Sequence, residues 1–343
     1  MGADAEFGVD LRSKSAFLDP VTPRERRAPI RFALVLVFLV LLPAQITGAL
    51  GAALAAAIDF AFNAPEKGYL HLFETRLVSP AVNYNDDLGQ LAEALPNLFN
   101  NGVVAGLLLL FASRRAARRP LTFFTSQKRF RWRLFWTAMA TTTAVYLAGM
   151  ALSAYVSFGH YEPGTGWMDG GVWRAVAFLA CMPLLIAVLA SSEEVIFRGW
   201  GLQQTAAFTR WTPALLGVST TAFVFFHGNV FDHENAFDWA RALQLAIAGA
   251  AFAWAALRTG GLEASCGAHI AMNLAYTFFD RDRSMATILD AAGEIVSVEV
   301  GSARPTTVEW VAWWIMAASP AVIAEALVRT RLRPRPSGME RPA

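Results

Sequence analysis

Val172 to Trp200 reads VWRAVAFLACMPLLIAVLASSEEVIFRGW, an apolar run that ends in two adjacent carboxylates and an arginine. Its first twenty residues are long enough to cross a bilayer as a helix, which takes about 20 apolar residues. Glu193, Glu194 and Arg198 follow without a turn signal. Each charged side chain near the centre of a span costs roughly +2.5 to +3.5 kcal/mol on insertion scales, so three together require a specific arrangement. Helical spacing places Glu194 and Arg198 on one face, where they can pair. Glu193 then points about 100° away, toward a different neighbour. One carboxylate is neutralised and the other is left available.

The rest of the chain has the same apolar character. Of 343 residues, 55% are hydrophobic and 16% charged, against about 25% charged in an ordinary soluble protein. The expected fold class is all-α: a polytopic membrane helix bundle of about eight transmembrane helices. The spans read as Ile30–Phe62, Leu91–Ala112, Leu134–Phe158, Val172–Ser191 with its polar extension, Trp211–Phe226, Trp239–Leu257, Leu262–Phe279 and Val308–Val328. Arginine and lysine cluster before the first span, between the second and third, and after the last, whereas Glu66, Asp86, Glu162 and Asp232 fall in alternate connections. Positive residues are retained in the cytoplasm, so both termini are expected there. With 29 basic and 27 acidic residues the net charge is only +2, which gives no basis for binding nucleic acid.

The segment from Thr122 to Arg133 interleaves Phe123, Phe124, Phe130 and Trp132 with basic residues. It reads either as lying on an anionic membrane surface or as a solvated loop. Glu263 and Arg241 stand at span ends and are expected to snorkel to the interface, and Glu325 is expected to pair with Arg329. Cys181 and Cys266 lie in apolar runs without metal or disulfide spacing and read as packing residues. His71, His160 and His233 fall in outer loops and receive no role.

Two further polar groups interrupt apolar runs. His227 ends the run Phe223-Val-Phe-Phe-His, and His269 precedes Asn273 by four residues, which sets both on one helical face. Interface anchoring and interhelical hydrogen bonding are the ordinary uses of such residues. A counting problem accompanies them. At 1.5 Å per residue, Glu193 lies roughly 31 Å beyond Val172 and His269 about 10 Å beyond Leu262, both near the basic side. His227, about 24 Å beyond Trp211, falls toward the opposite face unless Pro213 delays its helix or the span tilts.

In order and spacing, Glu-Glu-x-x-x-Arg, Phe-x-x-x-His and His-x-x-x-Asn resemble the three motifs of the CPBP family, the CAAX-protease and bacteriocin-processing (Abi) membrane endopeptidases. Glu193, Glu194, Arg198, Phe223, His227, His269 and Asn273 all match without substitution. The resemblance covers about Val172 to Phe279 and implies an intramembrane protease of the glutamate type that uses no metal or other cofactor. Taken with the spans and tails, the chain is expected to divide into a flexible cytoplasmic tail (1–29), N-terminal membrane helices with an outer loop and a basic connection (30–171), a catalytic membrane core that resembles the family (172–279), an outer loop with the last helix (280–330) and a basic tail (331–343). A bacterial inner membrane is the expected location, with membrane lipids and a peptide or lipidated protein as partners.

Peptide hydrolysis needs an activated water and hydrogen-bond donors aimed at the developing oxyanion. A carboxylate gains basicity in an apolar setting, and a guanidinium close by keeps it ionised. Glu193 and His227 are therefore expected to activate the water, with Glu194 and Arg198 fixing the local charge. His269 and Asn273 are expected to hold the oxyanion. The same Glu and His residues could instead ligate zinc, although His-Glu-x-x-His spacing is absent. Buried Glu, His and Arg also mark ion paths, so a transporter or a membrane scaffold is the non-enzymatic alternative.

Overall fold

The computed structural model describes residues 13–20, 46, 49–54, 56–57, 87–158, 172–227, 239–279, 285–289, 295–299 and 307–332. Residues 46, 49–54, 56 and 57 of the first expected span are helical. The remainder of that span, most of both tails, outer-loop residues 63–86 and His71, His160 and His233 lie outside the described residues.

The other seven expected spans each correspond to a helix. They are α1 (Asp87–Ala116), α2 (Trp132–Phe158), α3 (Val172–Glu194), α5 (Thr212–Phe226), α6 (Trp239–Thr259), α7 (Glu263–Phe279) and α8 (Thr307–Leu332). Between α3 and α5 the chain continues as a π-helical segment, Val195–Gly201, and a short helix α4, Leu202–Phe208. Trp132–Ser153, Val176–Phe208, Trp239–Thr259 and Trp310–Thr330 are each long and apolar enough to cross a membrane. The bundle is that of an all-α membrane protein, with one local addition. Met285–Leu289 and Ile295–Glu299, inside the expected outer loop, pair as an antiparallel hairpin with Met285 opposite Glu299. Their β-branched content suits a pleated surface.

Side-chain placement on α3 shows how the bundle is organised. Phe178, Met182, Ile186, Ala190 and Glu194 recur every four residues and are buried, whereas Val176, Leu179, Leu184 and Val188 are 45–70% exposed. Large apolar side chains face outward because the surrounding solvent is hydrocarbon. From Ser192 to Gly199 every residue is buried, so at that depth the helix enters the centre of the bundle. On α7 the same holds from Glu263 to Ala271.

Phe123 and Thr125 of the basic connection are buried, whereas Lys128, Arg129, Trp132 and Arg133 are exposed. The connection docks on the end of the bundle. Phe123 is fully buried, Thr125 forms a bridge with Gly261, and Leu262 donates its N–H to the carbonyl of Phe124 at 2.7 Å. Gly260 adopts φ +74°, the left-handed region that favours glycine, and this allows the sharp reversal between α6 and α7. A Cβ on Gly199 would lie 2.7 Å from the Phe123 carbonyl oxygen, so the strap lies directly against the π-helical segment.

Glu263 corrects the snorkelling expectation. Its side chain is fully buried and accepts from Arg131 Nε at 2.9 Å and Nη2 at 2.7 Å, and from the Arg131 backbone N–H at 3.2 Å. Arg131 also donates to the Thr259 carbonyl at 2.7 Å. Docking of the strap satisfies the carboxylate at the start of α7, so it has no need to reach water. Glu325 likewise finds a partner beyond its own helix: Trp254 and Arg258 both donate to it, and Arg329 stands farther off at 3.8 Å. Cys266 is buried as expected, but Cys181 is exposed on the outer face of α3 and does not pack in the core.

Arg131→Ala leaves the Glu263 carboxylate buried without its counter-charge and should lower stability by about 3 kcal/mol, read as a fall in Tm of the detergent-purified protein. Arg131→Met with Glu263→Leu should recover most of that loss, because a buried pair can be replaced by apolar side chains of similar volume.

Candidate active site

Arg198 sits in the middle of the π-helical segment, with its side chain fully buried. Nη1 donates to Glu194 Oε1 at 3.0 Å, and Nη2 donates to the carbonyl of Gly249 on α6 at 3.1 Å. The Phe223 ring covers the guanidinium at 4.3 Å, a cation–π contact from α5. A Cβ on Gly249 would lie 3.1 Å from Phe223 and 3.6 Å from Arg198 Nη2, so the absent side chain lets α5 and α6 close around the cation.

Glu194 accepts a second hydrogen bond at the same oxygen, from His269 Nδ1 at 2.9 Å. A carboxylate only accepts, so Nδ1 carries a proton and His269 presents Nε2 to the other side. Phe252 stacks on the imidazole with centroids 4.7 Å apart and planes inclined by 21°, which holds the ring. His227 is fixed by the same logic. Its Nδ1 lies 2.7 Å from the carbonyl oxygen of Phe223, one turn earlier, and so Nε2 faces away from its own helix.

Both Nε2 atoms face Glu193. Oε2 lies 3.8 Å from His227 Nε2 and 3.7 Å from His269 Nε2. This oxygen is buried and accepts no hydrogen bond from any described residue. Oε1 accepts from Asn101 on α1 at 3.4 Å. Asn273, one turn beyond His269, lines the same cavity, whose volume is about 510 Å³. One wall is apolar, formed by Met182, Ile186 and Leu189 of α3. Another is polar: Arg241 donates to Gln244 at 3.0 Å, and Gln244 donates to the Tyr276 hydroxyl at 3.1 Å.

The structure thus brings Glu193, Glu194, Arg198, His227 and His269 into one connected cluster and sets Asn273 on the wall of its cavity. Among the described residues no group of three metal-ligating side chains is gathered as a metal set. Ligand atoms on a tetrahedral zinc stand roughly 3.4 Å apart, closer than Glu193 Oε2 is to either imidazole.

The depth of His227 is settled by the length of the preceding helix. Gly199 lies level with Leu262, since a Cβ there would approach Leu262 Cδ1 to 3.3 Å. Beyond Gly199 the chain continues to Phe208 before it turns, about 13 Å deeper at 1.5 Å per residue. α5 begins at Thr212, with Pro213 in its first turn, and climbs about 22 Å to reach His227. Glu193, His227 and His269 all arrive roughly 10 Å above the Leu262 level. The expected span, Val172–Ser191 with its polar extension, did not include the helical continuation to Phe208, which is the source of the discrepancy.

Sequence reading did not single out Asn101, Gly249 or Phe252. Asn101 carried a signal, an amide inside the apolar run Leu98-Phe-Asn-Asn-Gly-Val-Val, whereas a carbonyl acceptor and a stacking phenyl ring have none.

The two carboxylates should respond differently to substitution. Glu194→Ala strips a fully buried guanidinium of its counter-charge and should cost about 3–5 kcal/mol. Glu193→Ala should change the Tm of the purified protein by no more than about 2 °C, since Oε2 makes no hydrogen bond to lose and the Asn101 contact is long.

Residues 170–275 match the family model described as type II CAAX prenyl endopeptidase Rce1-like. Among curated proteins, one described as uncharacterized protein YyaK, from Bacillus subtilis (strain 168), is 24% identical over 216 residues, 61% of this chain and 70% of its own length. No solved structure matches. The matched stretch holds both glutamates, Arg198 and both histidines of the cluster together with Asn273, and over these residues the chain is similar to the Rce1-like CAAX prenyl endopeptidases of the CPBP family.

Proposed function

We propose that the protein is an intramembrane glutamate-type endopeptidase that hydrolyses a peptide bond of a membrane-associated or prenylated protein or peptide, from a site on the cytoplasmic side of a bacterial inner membrane. The observation that carries this reading is the placement of Glu193 Oε2 between two imidazole Nε2 atoms at 3.8 and 3.7 Å. A water oxygen about 2.8 Å from each of these atoms has ordinary hydrogen-bond geometry.

In the reaction, Glu193 takes a proton from the water as the oxygen attacks the scissile carbonyl carbon, and the carbonyl π pair moves to oxygen. His269 Nε2 faces that oxyanion and donates to it when it carries a proton, while Nδ1 keeps its bond to Glu194. The Glu194 carboxylate, shared with Arg198, balances the added charge. Asn273 supplies a second donor from the cavity wall. On collapse the C–N bond breaks, and the proton held by Glu193 passes through His227 Nε2 to the leaving nitrogen. The Phe223 carbonyl keeps His227 oriented throughout.

The cavity supports an amphiphilic substrate. The α3 wall of Met182, Ile186 and Leu189 suits hydrocarbon, and the Arg241–Gln244–Tyr276 chain suits polar backbone or a carboxylate.

Detergent-purified wild type incubated with a peptide library should release fragments, read by mass spectrometry, and Glu193→Gln should lower kcat by about 10³-fold or more without loss of Tm. Identical fragments from both proteins would refute the assignment, as would substrate flux in sealed vesicles without any cleavage. Asn273→Ala should lower kcat by about 10²–10³-fold with KM little changed, the pattern of a donor used only in the transition state. Activity lost to a tight chelator and restored by zinc would replace the glutamate mechanism with a metal one.

A further inference from the structure

α1 lies outside the stretch matched by the family model, yet one of its side chains reaches the site. Its buried face runs through Asn101, Val104, Ala105, Leu108 and Ala112, spaced three and four residues apart as on one side of a helix. Four of these are apolar and belong against α3. Asn101, only 7% exposed, stands where the pattern calls for another apolar residue. A buried amide costs free energy unless it is hydrogen-bonded, so its partner has to account for its presence. That partner is Glu193 Oε1, at 3.4 Å. The helices approach closely beside it: a Cβ on Gly102 would meet Val188 Cγ1 at 4.0 Å.

We infer that Asn101 is a positioning residue for Glu193. Its Nδ2–H holds Oε1 on the α1 side and so directs Oε2 at the two imidazoles. The two oxygens of one carboxylate then have separate tasks, with Oε1 anchored to a neighbouring helix and Oε2 facing the histidines. Other hydrogen-bond partners at Oε1 are absent among the described residues. Without the amide, the carboxylate is free to rotate about its terminal torsion, which is broad and roughly two-fold. A displacement on the order of 1 Å at a reacting group costs about 10²-fold in rate. The inference rests on the proposed role of Glu193 and extends it to a helix from the N-terminal part of the chain.

The test uses the full-length protein in detergent and the peptide that wild type cleaves best. Asn101→Leu preserves approximate size and removes the donor. Its kcat should fall about 10- to 100-fold, with KM within twofold and Tm unchanged or higher, because an apolar side chain now completes an apolar face. A merely structural amide would show a lower Tm and rates that follow the folded fraction. Asn101→Asp supplies a second readout, independent of whether the leucine variant folds. The groups around this position are Glu193, with His227 and His269 beyond it and the Glu194–Arg198 pair behind. A carboxyl at 101 donates only while protonated, so the activity of Asn101→Asp relative to wild type should decline as pH rises. Asn101→Leu with kcat within twofold of wild type, or Asn101→Asp with a constant ratio to wild type across pH, would overturn the inference. If wild-type cleavage proves independent of Glu193, the protease reading itself fails, an outcome the Glu193→Gln control separates from failure of the Asn101 inference alone.

Discussion

Arg198 carries a positive charge on a side chain without exposed surface, in the middle of a helix that traverses a bilayer-sized bundle. Such a charge is tolerated only where protein groups supply compensating contacts. Three elements supply them: Glu194 from the helix's own preceding turn, the Gly249 carbonyl from α6, and the Phe223 ring from α5. Each is also tied to something else. Glu194 accepts from His269 on α7, and the Phe223 carbonyl holds His227. Solvation of one buried guanidinium therefore fixes both imidazoles, and the orientation of the site follows from charge compensation.

The adjacent carboxylates divide according to helix geometry. Residues one apart point about 100° from each other, so Glu194 faces Arg198 and α7 while Glu193 faces α1 and the cavity. A pair spaced three or four apart would have shared one environment and competed for the same cation. Adjacency gives two environments from two residues: Glu194 Oε1 accepts from both Arg198 and His269, whereas Glu193 Oε2 faces the two imidazoles across the cavity.

Much of the bundle was legible because a bilayer imposes a length and a polarity on each span, and seven described helices fall where apolar runs placed them. The charged and polar residues within those runs were legible for the same reason: their insertion cost makes them conspicuous. The depth of His227 was not, because apolarity marks where a helix enters lipid and says nothing of how far it continues past it. The π-helical segment and α4 hold Arg198 and the buried glutamines Gln203 and Gln204, so the polar composition reads as the end of a span although the backbone continues. Glu263 was misread for a related reason. Its partner, Arg131, lies 132 residues earlier in a segment whose basic and aromatic mixture is equally typical of lipid-facing loops, and only tertiary docking brings the two together.

These two misreadings concern the same layer of the molecule. The strap at Phe123–Thr125 lies against Gly199 on one side and Leu262 on the other, so it joins the helix bearing Glu193 and Glu194 to the helix bearing His269 just below the site. Gln203 adds a bond from α4 to the Thr122 carbonyl at 2.8 Å. Arg131 then closes the connection by occupying both oxygens of Glu263 at the first turn of α7. The vertical register between α3 and α7, on which the 3.7 Å separation of Glu193 and His269 depends, is held by the Glu194–His269 bond within the site and also by a segment outside the membrane-spanning helices. Side-chain packing between two apolar helices permits small sliding motions, whereas backbone hydrogen bonds and a bidentate ion pair do not. A site that requires two charged helices to meet at one depth has its alignment fixed by directional polar bonds at two levels, the Glu194–His269 bond within the site and the strap at the helix ends.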